Sequence, residues 1–268
     1  MASQLLDTYR SRMKIAMVNH FQYRLEMVVQ LLRIMLEPII YLVVWQVTAR
    51  SSGGDVAGYT ADDFALYFIM WAFVRHLTTG WAPGMFEWRI RQGDLNPMLL
   101  RPIHPIHVDT AEMLGWKIVE LVILVPTLAV LWLVFQPQWT PVWWSLVAFV
   151  PAVVIGFVLR YMAMYDLALL AFWTTRLDAI FNAWFLTEFF TSGRIAPLGV
   201  LPPWMHTIAN VLPFQWMFAF PLELILGNMT PKEMGIGFAV QIGWVAVAFG
   251  GFFLLWRNGT RRYGAVGG

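Results

Sequence analysis

The chain has 268 residues, of which 59% are hydrophobic and 13% charged. Soluble domains are about half apolar and about a quarter charged, so this composition predicts an all-α integral membrane protein. The net charge is only +2 and there is no cysteine. These two facts argue against nucleic-acid binding and exclude disulfides, thiolate catalysis and cysteine metal sites.

The N-terminal segment, residues 1–25, alternates apolar and basic side chains. It predicts an amphipathic helix on the inner membrane face, retained rather than cleaved as a signal peptide. Six apolar segments follow, and each predicts a transmembrane helix, since a span needs about 20 residues. They cover residues 27–47, 63–85, 117–136, 143–173, 178–192 and 234–256.

The basic residues set the predicted orientation. With the N-terminus in the cytoplasm, most of the 18 lysines and arginines fall on inner segments. The positive-inside rule then predicts a multi-pass protein with both termini in the cytoplasm. The whole chain, 1–268, is predicted to form a single membrane domain.

The apolar stretch 194–231 is broken by prolines and is not expected to be one spanning helix. Short helices that dip partway into the membrane are predicted instead, packed on protein or lining a cavity. The prolines are Pro197, Pro202, Pro203, Pro213, Pro221 and Pro231.

Several ionisable residues fall inside the predicted spans. Such groups cost several kcal/mol unless paired or hydrated, so each is a functional candidate. Arg33 and Glu37 are four apart and are expected to share a helix face. Both a structural role and contact with a substrate or gate stay open. The candidates are Arg33, Glu37, Arg75, Asp166 and Glu188.

The loop 86–116 is predicted to be cytosolic. Its residues Leu95, Met98, Leu99 and Leu100 are expected to form an apolar knob, with Arg91, Asp94 and Arg101 as a charged rim. A short helix with an apolar tip and charged flanks suits docking into a groove of another protein. The alternative is an interfacial loop that lies on lipid.

The same loop contains His104, His107 and Asp109, which raises the possibility of a metal site. Pro102 and Pro105 disfavour helix at the residues before them, and a zinc site needs further ligands and a second shell. We therefore expect no metal here. The chain also lacks a GxxxxGK[ST] phosphate loop, a GxSxG motif and an HExxH motif.

Three stretches together resemble the permease subunit of ABC-2 type ABC transporters, in the bacterial branch whose ATPase is a separate chain. They follow one another in the family's order over essentially the whole chain. They are QGDLNPMLLRPIHP (92–105), SGRIAPLGVLPPW (192–204) and LPFQWMFAFPLELILG (212–227).

The resemblance implies an exporter in the bacterial cytoplasmic (inner) membrane. Two permeases, identical or paralogous, would work with two cytosolic ABC ATPase subunits, which hold ATP and Mg. This chain would be a transport subunit without a cofactor, not an enzyme, and would contact lipid. Spans one and five would form the permease dimer interface.

The resemblance also implies two functional segments. Residues 93–105 would be, or flank, the coupling helix that docks on the ATPase. Residues 194–231 would form an outer lid of re-entrant helices. Arg194 departs from the small or apolar residue of many relatives. The lid candidates are Gly193, Pro197, Pro202, Pro203, Trp204 and Pro213.

The fifth span presents a wide aromatic face, which suits a hydrophobic or amphipathic cargo and equally suits lipid contact. Two other function classes stay open. A lipid-modifying enzyme would use His104, His107 and Asp109, and a secondary transporter would work without ATP and show an inverted repeat. The aromatic residues are Phe181, Trp184, Phe185, Phe189 and Phe190.

Overall fold

The computed structural model describes residues 2–22, 24–80, 86–174 and 176–264, and most of them are helical. The six helices of the first half are α1 (Ala2–Gln22), α2 (Arg24–Ser51), α3 (Ala61–Thr78), α4 (Phe86–Gln92), α5 (Leu95–Leu99) and α6 (Pro105–Phe135). Those of the second half are α7 (Trp143–Leu169), α8 (Asp178–Thr191), α9 (Pro203–Val211), α10 (Phe214–Met217), α11 (Ala219–Leu226) and α12 (Pro231–Arg262). A small antiparallel hairpin, Asp55–Val56 (β1) with Tyr59–Thr60 (β2), connects α2 to α3.

Three helices in the described ranges are long and apolar enough to cross a bilayer: α6, α12, and α7 with the 3-10 turn Leu170–Phe172. They contain the third, fourth and sixth predicted spans. The first and fifth predicted spans coincide with α2 and α8. Of the second predicted span, 63–85, residues 63–78 lie in α3, and residues 81–85 lie outside the described residues. The α2, α3 and α8 segments are helical, but α2 and α3 carry several charges and α8 has 14 residues. Their passage across the membrane stays a prediction.

Helix α6 begins earlier in the chain than the third predicted span. The helix begins at Pro105 rather than at residue 117, and His104 caps it by accepting a hydrogen bond from the Ile106 N–H on Nδ1 (3.2 Å). Proline disfavours helix before itself, but its missing N–H costs nothing in the first helical turn. Residues 105–116 therefore belong to the long helix and not to an irregular loop.

The predicted N-terminal amphipathic helix corresponds to α1, which packs along the first turns of α6. Gly115 makes this close approach possible, because a Cβ there would lie 2.7 Å from the carbonyl oxygen of Met13. An ion pair between Arg12 and Glu112 (3.1 Å) lies beside this contact. The same helix can therefore cover α6 and present its exposed side to solvent or lipid headgroups.

The segment 194–231 folds into short helices, as its prolines predict. Met217 of α10 lies against Gly156 in the middle of α7, where a Cβ would be 2.8 Å from the Met217 carbonyl oxygen. Leu224 of α11 accepts a hydrogen bond from Ser145 near the start of α7. Eleven residues of α7 separate these two levels, about 16 Å at 1.5 Å per residue. From Met217 to Leu224 the segment therefore runs along α7 toward its N-terminus, over a distance of about half of a ~30 Å hydrocarbon thickness.

Candidate functional site

The segment α4–α5 is anchored to the rest of the protein by its apolar side chains. Phe86 is fully buried, and its ring contacts Tyr165, Phe172 and Trp256. Leu95 is fully buried in the same cluster. Burying one such side chain contributes about 1.5–3 kcal/mol, so two of them hold this segment firmly against α7 and α12.

Polar contacts fasten α4–α5 from two further sides. Tyr263, which follows α12, donates from Oη to Asn96 Oδ1 (2.8 Å). Arg89 of α4 is paired with Asp109 of α6 (2.7 Å), and Tyr165 of α7 donates to the second carboxylate oxygen (2.9 Å). A displacement of α4–α5 would therefore act directly on α6, α7 and α12.

The tip of this segment points outward. Leu100 is 88% exposed and Leu99 is 38% exposed, and Asp94 and Arg101 are exposed beside them. Leu95 corrects the predicted apolar knob, because its burial in the core makes it unavailable to a partner. Met98 is half-buried, and the side chain of Arg91 lies outside the described residues.

The three residues His104, His107 and Asp109 have different partners. The His104 ring packs on Trp256 (centroids 4.2 Å apart), whereas His107 Nδ1 hydrogen-bonds Tyr9 Oη (3.2 Å). Asp109 is engaged by Arg89 and Tyr165, as above. In the described ranges no group of three or more metal-ligating side chains is close enough to hold an ion.

Burial also sets the charge state of His104. Desolvation among aromatic rings, with a smaller contribution from His107, lowers the pKa of His104 to about 4. Its Nε2 is buried without a hydrogen-bond partner among the described residues. A neutral imidazole is therefore the stable form at neutral pH, and its place between α6 and α12 is structural.

Glu37 joins two arginines from different elements into an ion triad. Arg75 of α3 donates from Nη1 to Glu37 Oε2, and Arg194, beyond α8, donates from Nε to Glu37 Oε1 (2.6 Å). The arginines also lie over the rings of Trp71 and Phe189. Glu37 thus bonds across the structure, while the side chain of Arg33, its expected partner, lies outside the described residues.

A second buried ion pair links α7 to α8. Arg160 Nη1 donates to Glu188 Oε2 (2.5 Å), and both side chains are almost fully buried. Trp184 Nε1 donates to the same oxygen (3.2 Å), and the Arg160 guanidinium lies over Phe218. Because Arg160 and Glu188 are 28 residues apart, no helix-spacing rule could have paired them.

Asp166 occupies a different environment. It packs against Gly251 of α12, where a Cβ would lie 2.7 Å from its Oδ2. Its Oδ1 is buried without a hydrogen-bond partner in the part of the chain described here. Four of the five predicted charges have described side chains, and these four do not converge on one site; among the four, only Glu37 and Arg75 are in contact.

The beginning of the 194–231 segment is fastened to α2 and α3. Tyr67 Oη donates to the Gly193 carbonyl (2.7 Å), and Trp45 Nε1 donates to the Ile195 carbonyl (2.7 Å). Gly193 has φ +81°, and a Cβ there would lie 2.7 Å from the Tyr67 hydroxyl, so both conformation and space favour glycine. Arg194 lies between Gly193 and Ile195 in the chain and contributes its guanidinium to the ion triad.

The other lid candidates mark element boundaries. Pro197 precedes the 3-10 turn Leu198–Val200, Pro202 precedes α9, Pro203 is its first residue, and Pro213 precedes α10. Trp204 is 63% exposed at the start of α9. The prolines thus explain why the segment is divided, and Trp204 is the member of this set with a large exposed apolar surface.

The aromatic side chains of α8 lie on more than one side of the helix. Trp184 packs edge-on against Phe214 of α10 (centroids 4.6 Å apart). Phe190 is 42% exposed and Leu186 is 62% exposed. Trp184 of the aromatic set therefore packs on the segment 194–231, whereas Phe190 and its neighbour Leu186 are exposed.

Comparison with known families gives one match. Residues 35–267, most of the chain, match the family described as ABC-2 family transporter protein. No curated protein matches the sequence. The matched range includes α4–α5, the ion triad and the segment 194–231.

Proposed function

The chain belongs to the ABC-2 family of transporter proteins, and we propose that it is the permease subunit of an ATP-driven exporter. A second permease, identical or paralogous, pairs with it, and two cytosolic ATPase subunits bind ATP and Mg. The complex exports a hydrophobic or amphipathic molecule. In this proposal the chain lies in a bacterial cytoplasmic membrane with both termini in the cytoplasm.

The anchored segment α4–α5 carries this proposal. A coupling element needs a surface for the ATPase and a stiff connection to the membrane helices. Leu100 supplies an exposed apolar contact, and Leu95 and Phe86 supply the connection. An exposed leucine side chain is unfavourable in water. It stabilises a complex when the groove of a partner covers it and removes its apolar surface from water.

The connection continues to the outer face. Gln241 of α12 donates from Nε2 to the carbonyls of Trp216 and Ala152 (both 2.9 Å), so α12, α7 and the re-entrant turn are bonded together. ATP-driven closure of the ATPases would displace α4–α5, then α7 and α12, and so the re-entrant helices. Contiguous packed elements of this kind can carry such coupling.

Co-purification from native membranes tests the proposal. We expect the tagged chain to retain an ABC ATPase, and Leu100→Asp to abolish retention, because a buried carboxylate in the interface would be unpaired. Leu99→Asp should weaken it less. Leu6→Asp is the matched control, since Leu6 is 72% exposed on α1, a helix that packs on α6.

Variants are compared only if they elute as the unaltered protein does on size exclusion. Retention of the ATPase by Leu100→Asp would refute the docking assignment. Loss of the ATPase from Leu6→Asp as well would show that the substitution acts through general destabilisation.

A further inference from the structure

The ion triad Glu37–Arg75–Arg194 carries one more positive than negative charge at membrane depth. Glu37 and Arg75 each lie about 14 residues from the hairpin-side ends of α2 and α3, or about 21 Å. Arg160 is a further cation that repels Arg75, and its own carboxylate partner is Glu188. An uncompensated cation at this depth is costly, so an anion would be favoured there.

The triad is also accessible. The side chains of Glu37 and Arg194 are each 22% exposed, and that of Arg75 is 28% exposed. Arg75 uses Nη1 for Glu37, and its Nε and Nη2 have no hydrogen-bond partner among the described residues. A guanidinium fork with free donors matches the oxygens of a carboxylate or phosphate.

An apolar surface adjoins the charged one. Phe189, whose ring lies under Arg194, is followed by Phe190 on α8, and Leu186 is exposed one turn earlier. A ligand with an anionic head and an apolar tail would pair its head with the arginines and lay its tail along α8. Neither a free inorganic anion nor an uncharged lipid would use both surfaces.

We propose that the triad binds the anionic head group, carboxylate or phosphate, of an amphipathic cargo. This rests on the proposed export function and narrows its cargo class. Glu37 keeps the two guanidiniums together when no cargo is bound, and it competes with the cargo for their donors. Arg194 belongs to the first turn after α8, so exchange of Glu37 for cargo would alter how the re-entrant segment is held.

Binding to the purified full-length chain in an uncharged detergent tests this, with native mass spectrometry as the readout. The probes are oleoyl lysophosphatidate and oleate, with monoolein as the uncharged match and inorganic phosphate as the anion without a tail. We expect the two anionic amphipaths to bind at least about tenfold more tightly than monoolein, as charge-assisted hydrogen bonds allow. Inorganic phosphate should not displace them.

The variants separate binding from structure. Arg75→Gln and Arg194→Gln should lose the preference for the anionic probes, whereas Glu37→Gln should strengthen their binding by about tenfold, because it removes the competing carboxylate. Arg176→Gln, which removes an exposed charge elsewhere, should bind as the unaltered chain does. Arg194→Lys retains the charge without the fork and should bind at an intermediate level.

Two results would overturn the proposal: equal binding of monoolein, or weaker anion binding by Glu37→Gln, as a purely structural triad predicts. Displacement by inorganic phosphate would overturn the amphipathic part. If the arginine-to-glutamine variants do not fold, the binding of the anionic probes to Glu37→Gln and Arg194→Lys still tests the proposal. The assay contains no ATPase, so its failure would leave the co-purification test of the export function unaffected.

Discussion

Replacing Glu188 by glutamine would break the ion pair that joins α8 to α7 while keeping a hydrogen-bond acceptor for Trp184. The side chains of Arg160 and Glu188 are only 6% and 4% exposed. Removal of one partner leaves the other charge buried and unpaired, which costs about 3–5 kcal/mol. At about 2–4 °C per kcal/mol for a large domain, the unfolding midpoint should fall by roughly 6–20 °C.

The assay is thermal unfolding in detergent followed by intrinsic fluorescence, because the chain has 15 tryptophans and no cysteine for a thiol dye. Asp178→Asn is the control, since it removes an exposed carboxylate from the same helix; it should cost at most about 1 kcal/mol. The double variant Arg160→Met, Glu188→Leu should recover most of the stability, because an apolar pair has no desolvation cost.

Two outcomes would refute this reasoning. A midpoint for Glu188→Gln within the range of the Asp178→Asn control would show that the pair is solvated or broken in the protein. A double variant whose loss of stability equals the sum of the losses from Arg160→Met and Glu188→Leu made singly would show that Arg160 and Glu188 do not interact, since coupled neighbours are non-additive.

Three further predictions concern the contacts around α12 and α6. Gly259→Ala places a Cβ 2.1 Å from the Phe172 ring, so overpacking should destabilise the folded protein by about 1–3 kcal/mol. Gly250→Ala is the control, because nothing lies within 4 Å of the added Cβ, and it should be neutral or stabilising. Thermal unfolding measures both. Tyr263→Phe removes the hydrogen bond to Asn96 of α5 and should cost about 1 kcal/mol in the same unfolding assay. Faster proteolysis of α4–α5 is a second readout. The pKa of His104 is about 4 in the folded protein, below its ordinary value of 6.5. Between pH 6.5 and pH 4 the unfolded chain therefore binds more protons, so stability should fall as the pH falls through this range. His104→Gln should reduce this loss of stability, and an unchanged pH profile in the variant would contradict the buried, neutral state of His104.

The positions of the long helices could be predicted because they follow from local chemistry. Backbone groups in lipid must bond within their own segment, so a long apolar run is helical whatever packs against it. The prolines of 194–231 likewise divide that segment through their own φ and missing N–H. Helix α6 begins before the predicted span 117–136, because the span follows from hydropathy whereas the helix start is set by the His104 cap and by Pro105 in the first turn.

The candidate site was only partly predictable for the same physical reason. A helix-spacing rule compares residues three or four apart, yet Glu37 pairs with residues 38 and 157 positions away. Leu95 and Leu100 have the same side chain within one short segment, and only the packing of α4–α5 on α7 and α12 buries one and exposes the other.

Composition, hydropathy and proline placement thus determined by themselves that this is a helical membrane protein with a divided segment before its last helix. The order of three weak motifs indicated an ABC-2 permease, and the match over residues 35–267 confirms that family. Tertiary structure decided which charges meet, which leucine is exposed and how α4–α5 is tied to α6, α7 and α12. Those properties depend on distances between elements far apart in the chain, which no local pattern specifies.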